Sequence, residues 1–212
     1  MDSVTLRQAR FAATAIGVGL CAVVVQAAAP DKDWREEFNA AGEILGLADQ
    51  RIAFIDTSYY RPYDERQIER RYKMIKHLNG GNCKKASTYA RKILKRYPFA
   101  VLANRVLERC LRQAGEPEKA AYYGYLGDTI FFILLADGSG KSPNDDIRII
   151  TFMEALDFMD LSGYASTRIV SDQGNWSHLV IEGGSFDDGS KVNFYFDAEV
   201  IENRHMRIRQ LR

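Results

Sequence analysis

The segment Gly81-Asn-Cys-Lys-Lys85-Ala86 recurs 34 residues later as Gly115-Glu-Pro-Glu-Lys119-Ala120. That period is the spacing of a tetratricopeptide helix pair, and it constrains the fold because such units cannot bury their apolar faces alone and must stack. Gly81 reads as the inter-helix turn, Ala86 as a small residue at a close helix contact, and Pro98 as the end of the second helix. Apolar spacing agrees. Ile68, Tyr72, Ile75 and Leu78 predict one stripe, Ala86, Ala90, Ile93 and Tyr97 a second, and Leu102, Val106, Leu107, Cys110 and Ala114 a third. Asp64 with Gln67 three residues on reads as a capping box, and Pro117 suits a first helical turn. The expectation is four tetratricopeptide-like helices over residues 64–136. The second copy departs from the first, with Gly124 and Gly127 where Ala90 and Ile93 stood. Residues 130–135 (IFFILL) are apolar on every face, which predicts a joint buried on both sides.

After Asp146 the period shortens. Residues 147–151 (IRIIT) read as a strand, and Thr151-Phe-Met-Glu154 as a capping box opening a short helix that ends near Gly163. Residues 167–171, 176–181 and 191–196 alternate like strands, and Phe186-Asp187-Asp188-Gly189 is a turn that makes the last two a hairpin. The predicted class is α+β: tetratricopeptide-like helical hairpins, then a small antiparallel sheet with one helix over residues 137–212. Residues 30–63 are read as an N-terminal helical segment.

The start of the chain reads as an address. Arg7 and Arg10 precede an apolar run of 15 residues at 11–25, followed by small residues through Ala29. This is the pattern of a secretory signal peptide over residues 1–29, cleaved after Ala27 or Ala29; a membrane-spanning helix needs about 20 apolar residues. Cys21 follows Leu20 rather than a small residue, which argues against a lipoprotein site. The expected mature chain is periplasmic or secreted, without a transmembrane segment. Cys83 and Cys110 then remain in an oxidising compartment. They lie symmetrically about the turn at Tyr97-Pro98 and on the apolar stripes, so they face each other, as a disulfide or as two buried thiols.

Four stretches carry a resemblance: Tyr59-Tyr60-Arg61-Pro62-Tyr63, the helix pair at 81–120, the loop Asp137-Gly-Ser-Gly140-Lys-Ser142-Pro143, and Asn193-Phe-Tyr-Phe-Asp197. Together, over roughly residues 51–197, the chain resembles the bacterial family called domain of unknown function 4919. That family's loop reads S-G-D-G-x-S-P; this chain has Asp137 and Ser139 where the pattern has Ser and Asp. The resemblance implies export and tetratricopeptide-like helices and no known activity.

Motifs for chemistry are sparse. Gly138 to Ser142 invites a phosphate-loop reading, but Leu135 stands where the first glycine belongs, and Pro143 has no N–H to offer a phosphate. As a calcium loop the same stretch would need ligands at Lys141 and Arg148, which cannot ligate. Asp145-Asp146 and Asp187-Asp188 read as solvated turns. His77, His178 and His205 show no metal spacing, and the carboxylates Glu36 and Glu37, or Asp157 and Asp160, read as wet helix faces. No cofactor is predicted.

The net charge of +1 hides a division. Residues 64–97 carry 11 basic and 3 acidic residues, and residues 136–200 carry 4 basic and 12 acidic. Either the two halves attract one another or each meets its own partner. Export excludes nucleic acid as the expected polyanion and leaves a protein or an anionic envelope component. The reading is a non-catalytic binding scaffold of the envelope, using Tyr59, Tyr60, Tyr63, Lys84, Lys85, Arg91 and Lys92. The alternative is a periplasmic hydrolase with carboxylates supplied by the sheet.

Overall fold

The computed structural model of the chain describes residues 44–171 and 178–203. The expected signal peptide, with Cys21, and the residues Glu36, Glu37, Trp176 and His205 lie outside the described residues. Five helices come first: α1 (Ile44–Ala53), α2 (Glu65–Asn79), α3 (Cys83–Leu94), α4 (Val101–Gln113) and α5 (Pro117–Asp137). A short 3-10 turn, Phe54–Asp56, follows α1. Then come β1 (Ile147–Arg148), α6 (Phe152–Leu161), β2 (Tyr164–Ser171), β3 (His178–Ser185) and β4 (Lys191–Asp197). The class is α+β.

The helix starts follow from the capping residues. Asn82 accepts the N–H of Lys85 at 3.0 Å to open α3, and Asp64 accepts that of Arg66 at 3.1 Å to open α2. Pro117 opens α5, 34 residues after Cys83. Gly81 and Gly115, at the ends of the preceding helices, have φ of 71° and 77°, which a side chain would strain. Each helix from α2 to α5 packs on the next. Ala86 and Ala120 are fully buried at these contacts. Gly124 and Gly127 are close-approach positions: a Cβ at Gly124 would meet the Glu108 carboxylate at 2.9 Å, and one at Gly127 would meet Arg105 Cδ at 3.1 Å. The drift from Ala90 and Ile93 thus makes room for α4's ion pairs to lie across α5.

Three patterns differ from the sequence reading. On α2 the buried residues are Gln67, Arg71, Met74 and Leu78, while Tyr72 is 60% exposed. The helix is rotated relative to its apolar stripe so that Arg71 can turn inward. On α5, Ile130, Ile133 and Leu134 are buried but Phe132 and Leu135 are exposed, because only one side of the helix meets neighbours. Finally, the predicted strand at 147–151 is only two residues long and runs parallel to β4, so the sheet is mixed.

The sheet order is β1-β4-β3-β2, with antiparallel pairing from β4 to β2 and Phe194 opposite Ile181. Helix α6 lies between this sheet and the other helices. Its Phe158 meets Phe194 and Phe196 edge-on at 5.9 and 6.0 Å and Phe131 of α5 at 5.8 Å. The buried apolar residues run from Leu47 to Ala198 in one cluster, so helices and sheet share a core.

Candidate functional site

Helix α6 carries two carboxylates into that core. Asp157 is 1% exposed, which corrects the wet-face reading. Its Oδ1 accepts from Arg71 Nε at 2.7 Å and its Oδ2 from the Leu102 N–H at 3.1 Å. Arg71 also donates to the Leu156 carbonyl at 3.0 Å and to Asp160. Burial opposes the Arg71 charge, but the two aspartates outweigh it and hold the guanidinium above its ordinary range. Burial pushes the Asp157 carboxyl up, while Arg71 and the Leu102 N–H pull it back.

One turn earlier, Glu154 is buried against Arg51, with Nε to Oε1 at 2.7 Å and Nη2 to Oε2 at 2.9 Å. It also accepts the Ile150 N–H at 2.7 Å and the Tyr97 hydroxyl. The predicted capping box is therefore only half formed. Thr151 accepts from the Glu154 N–H at 3.4 Å, but the carboxylate turns into the core instead of back to Thr151. Burial, then the neighbouring Glu154 charge, raise the Tyr97 phenol well above its usual value. Both buried α6 carboxylates are saturated by arginine and backbone donors. As held, they are structural acids rather than groups free to take a substrate proton.

Of the three tyrosines read as a binding patch, Tyr60 does not belong. It is 1% exposed, its ring packs edge-on against Phe54 of the 3-10 turn at 6.0 Å, and its hydroxyl donates to the Ile150 carbonyl at 2.6 Å. Tyr59 and Tyr63 are 63% and 55% exposed; Tyr59 lies beneath Arg96 and Tyr63 packs on Phe152. Lys84, Lys85, Arg91 and Lys92 are all exposed on α3. Helical spacing puts them within an arc of about 120°, opposite buried Ala86, Ala90 and Ile93. Helix α3 has no acidic residue, and none of the four has a carboxylate partner among the described residues. Lys92 stands 5.8 Å from the Tyr89 ring.

Cys83 and Cys110 stand with Cα atoms 5.2 Å apart, joined sulfur to sulfur across α3 and α4. The glycine loop at 137–146 is docked rather than open. The Gly140 N–H donates to Asp145 at 2.7 Å, and the Gly140 carbonyl accepts from the Tyr195 N–H at 2.8 Å. Ser139 holds the Asp145 carboxyl low. Among the described residues, no cluster of three or more His, Cys, Asp or Glu could hold a metal ion. His178 faces Asp146 at 3.4 Å in the open.

Sequence reasoning missed one cleft. A shallow, solvent-open hollow lies where the residues after α1 meet α2 and the start of α6. Ile68, Phe152 and Met153 give it apolar walls, and Gln67 lies at its base. The Gln67 side chain does not complete a box with Asp64. It is 5% exposed, and its Oε1 has no hydrogen-bond partner among the described residues. The signal was present as Gln67 beside Ile68, but the capping pattern absorbed it.

Residues 36–207 match the family model described as a domain of unknown function, DUF4919, and the chain belongs to that family. No curated protein and no solved structure matches it. Among the described residues no helix is long and apolar enough to cross a membrane.

Proposed function

We propose that the chain is an exported, non-catalytic scaffold of the cell envelope whose tetratricopeptide-like helices present a basic face to an acidic protein segment or another anionic envelope component. The observation that carries the reading is helix α3, with four exposed cations on one side and no carboxylate of its own. A face of one sign attracts a polyanion at distances up to the screening length of about 10 Å at 0.1 M salt. The commitment of Glu154 and Asp157 to arginines supports binding over hydrolysis. The left-handed glycines that precede α3 and α5 at a 34-residue spacing support the repeat.

The test replaces Lys84, Lys85, Arg91 and Lys92 together by Gln. Retention on an anionic matrix and on envelope extract is measured at low and moderate salt. Loss of salt-sensitive retention with an unchanged melting temperature supports the binding face. Unchanged retention with lowered stability would mean that these cations serve the fold. Export is checked separately by the mass of the mature protein, which should begin at residue 28 or 30.

A further inference from the structure

The cleft beside α2 combines three features. The first is a buried amide oxygen with nothing to accept from. Gln67 is 5% exposed, and its Oε1 lacks a partner among the described residues. A carbonyl withdrawn from water without a donor costs free energy in the empty protein. The second is a pair of guanidinium groups, Arg61 and Arg96, on the same cleft. Arg61 uses Nη1 on the carbonyls of Ser58 at 3.2 Å and Tyr60 at 2.8 Å, which fixes its fork beside the opening. Arg96 stands 5.7 Å from the Tyr59 ring. Neither arginine has a carboxylate partner among the described residues. The third is the apolar wall of Ile68, Phe152 and Met153.

We infer that this cleft binds the carboxy terminus of a peptide whose last side chain is apolar. The groups match one for one. A terminal carboxylate is planar and takes bidentate bonds from guanidinium. The N–H of the last residue is the donor that Gln67 Oε1 lacks, and pairing them requires the Gln67 side chain to swing that oxygen from beneath the cleft floor to its surface. The last side chain buries against Phe152 and Met153. Asp64, also on the cleft, already accepts from the Arg66 N–H, which reduces its repulsion of the incoming carboxylate. The site shares no residue with the α3 cations, so its failure would leave the basic-face reading standing.

The experiment uses the full chain and fluorescein-labelled hexapeptides ending in Val, Leu or Phe, each as the free acid and as the amide, followed by anisotropy at 0.15 M salt. At least one acid should bind saturably below about 1 mM, with its amide at least tenfold weaker. Arg61→Gln and Arg96→Gln should each weaken the acid about tenfold and bring acid and amide together. Gln67→Met should weaken binding yet raise the melting temperature of the peptide-free protein by a few degrees, because it removes the unpaired oxygen. Equal binding of acid and amide, no binding of any acid, or a lower melting temperature for Gln67→Met would each overturn the inference.

Discussion

Helices α2 and α3 are neighbours of similar length and strongly basic composition, yet they use their cations in opposite ways. On α2, Arg71 enters the core and is answered by Asp157 and Asp160 of α6. On α3 the buried face is Ala86, Ala90 and Ile93, and every cation points out. The basic excess of residues 64–97 therefore divides into one charge that ties the helices to α6 and a group that faces the solvent. A buried pair is costly to break but adds little over an apolar replacement, whereas exposed cations barely touch stability. The contrast can be tested from both sides.

Arg71→Leu should have the largest effect. It leaves Asp157 buried without its partner, and urea unfolding should show a loss of about 3–5 kcal/mol. The double replacement Arg71→Met with Asp157→Leu should recover part of that loss, the remainder reflecting the Leu102 N–H left without its acceptor. If it recovers none, the pair adds stability of its own and the contrast between the two helices is sharper. Next comes the link between α3 and α4. Cys83→Ser with Cys110→Ser should cost roughly 3 kcal/mol by the loop-entropy account, with a lower melting temperature. Alkylation of the denatured, unreduced parent should add no label at either cysteine.

Ala86→Leu addresses the apolar side of α3. The site is fully buried, so added methylenes should cost about 1–3 kcal/mol. A variant that melts like the parent would count against the close helix contact. Tyr97→Phe probes the other buried pair, where the phenol donates to Glu154. Because the folded-state phenol titrates above its unfolded value, stability is complete below about pH 10 and falls as pH rises further. The variant should lose about 1.5–3 kcal/mol at neutral pH and show a shallower alkaline decline than the parent in pH-dependent melts. The smallest effect belongs to the outer face, where single replacements of Lys84, Lys85, Arg91 or Lys92 by Gln should each stay within about 0.5 kcal/mol.

Much of the helical region was legible because its signals are local. The cap Asp64, the turn glycine Gly81 and the alanine spacing each act within a turn or two. The rotation of α2 was not legible. An apolar stripe counts Tyr72 as inward and cannot count Arg71, whose partner lies 86 residues away. Asp157 and Asp160 looked like a wet face for the same reason, since no local pattern marks a carboxylate that will be met by an arginine from another helix. The burial of Tyr60 leaves no local mark because its acceptor, the Ile150 carbonyl, is 90 residues on. Gln67 was misplaced because a capping pattern explained it too well.

The sheet's two borders are guarded unequally. On the β4 side, β1 takes Phe196 and Asp197, and the docked glycine loop takes the Tyr195 N–H, so backbone that would otherwise stand open is already paired. On the β2 side the guard is a register shift between Ser166 and Arg168 and a charge at Arg168. An irregular, charged border resists another strand laying itself alongside, which is how open sheets avoid joining copies into fibres. The glycine loop, unsuited to phosphate or calcium, thereby acquires a purpose: it closes the flank of the sheet where no bulge would deter self-association.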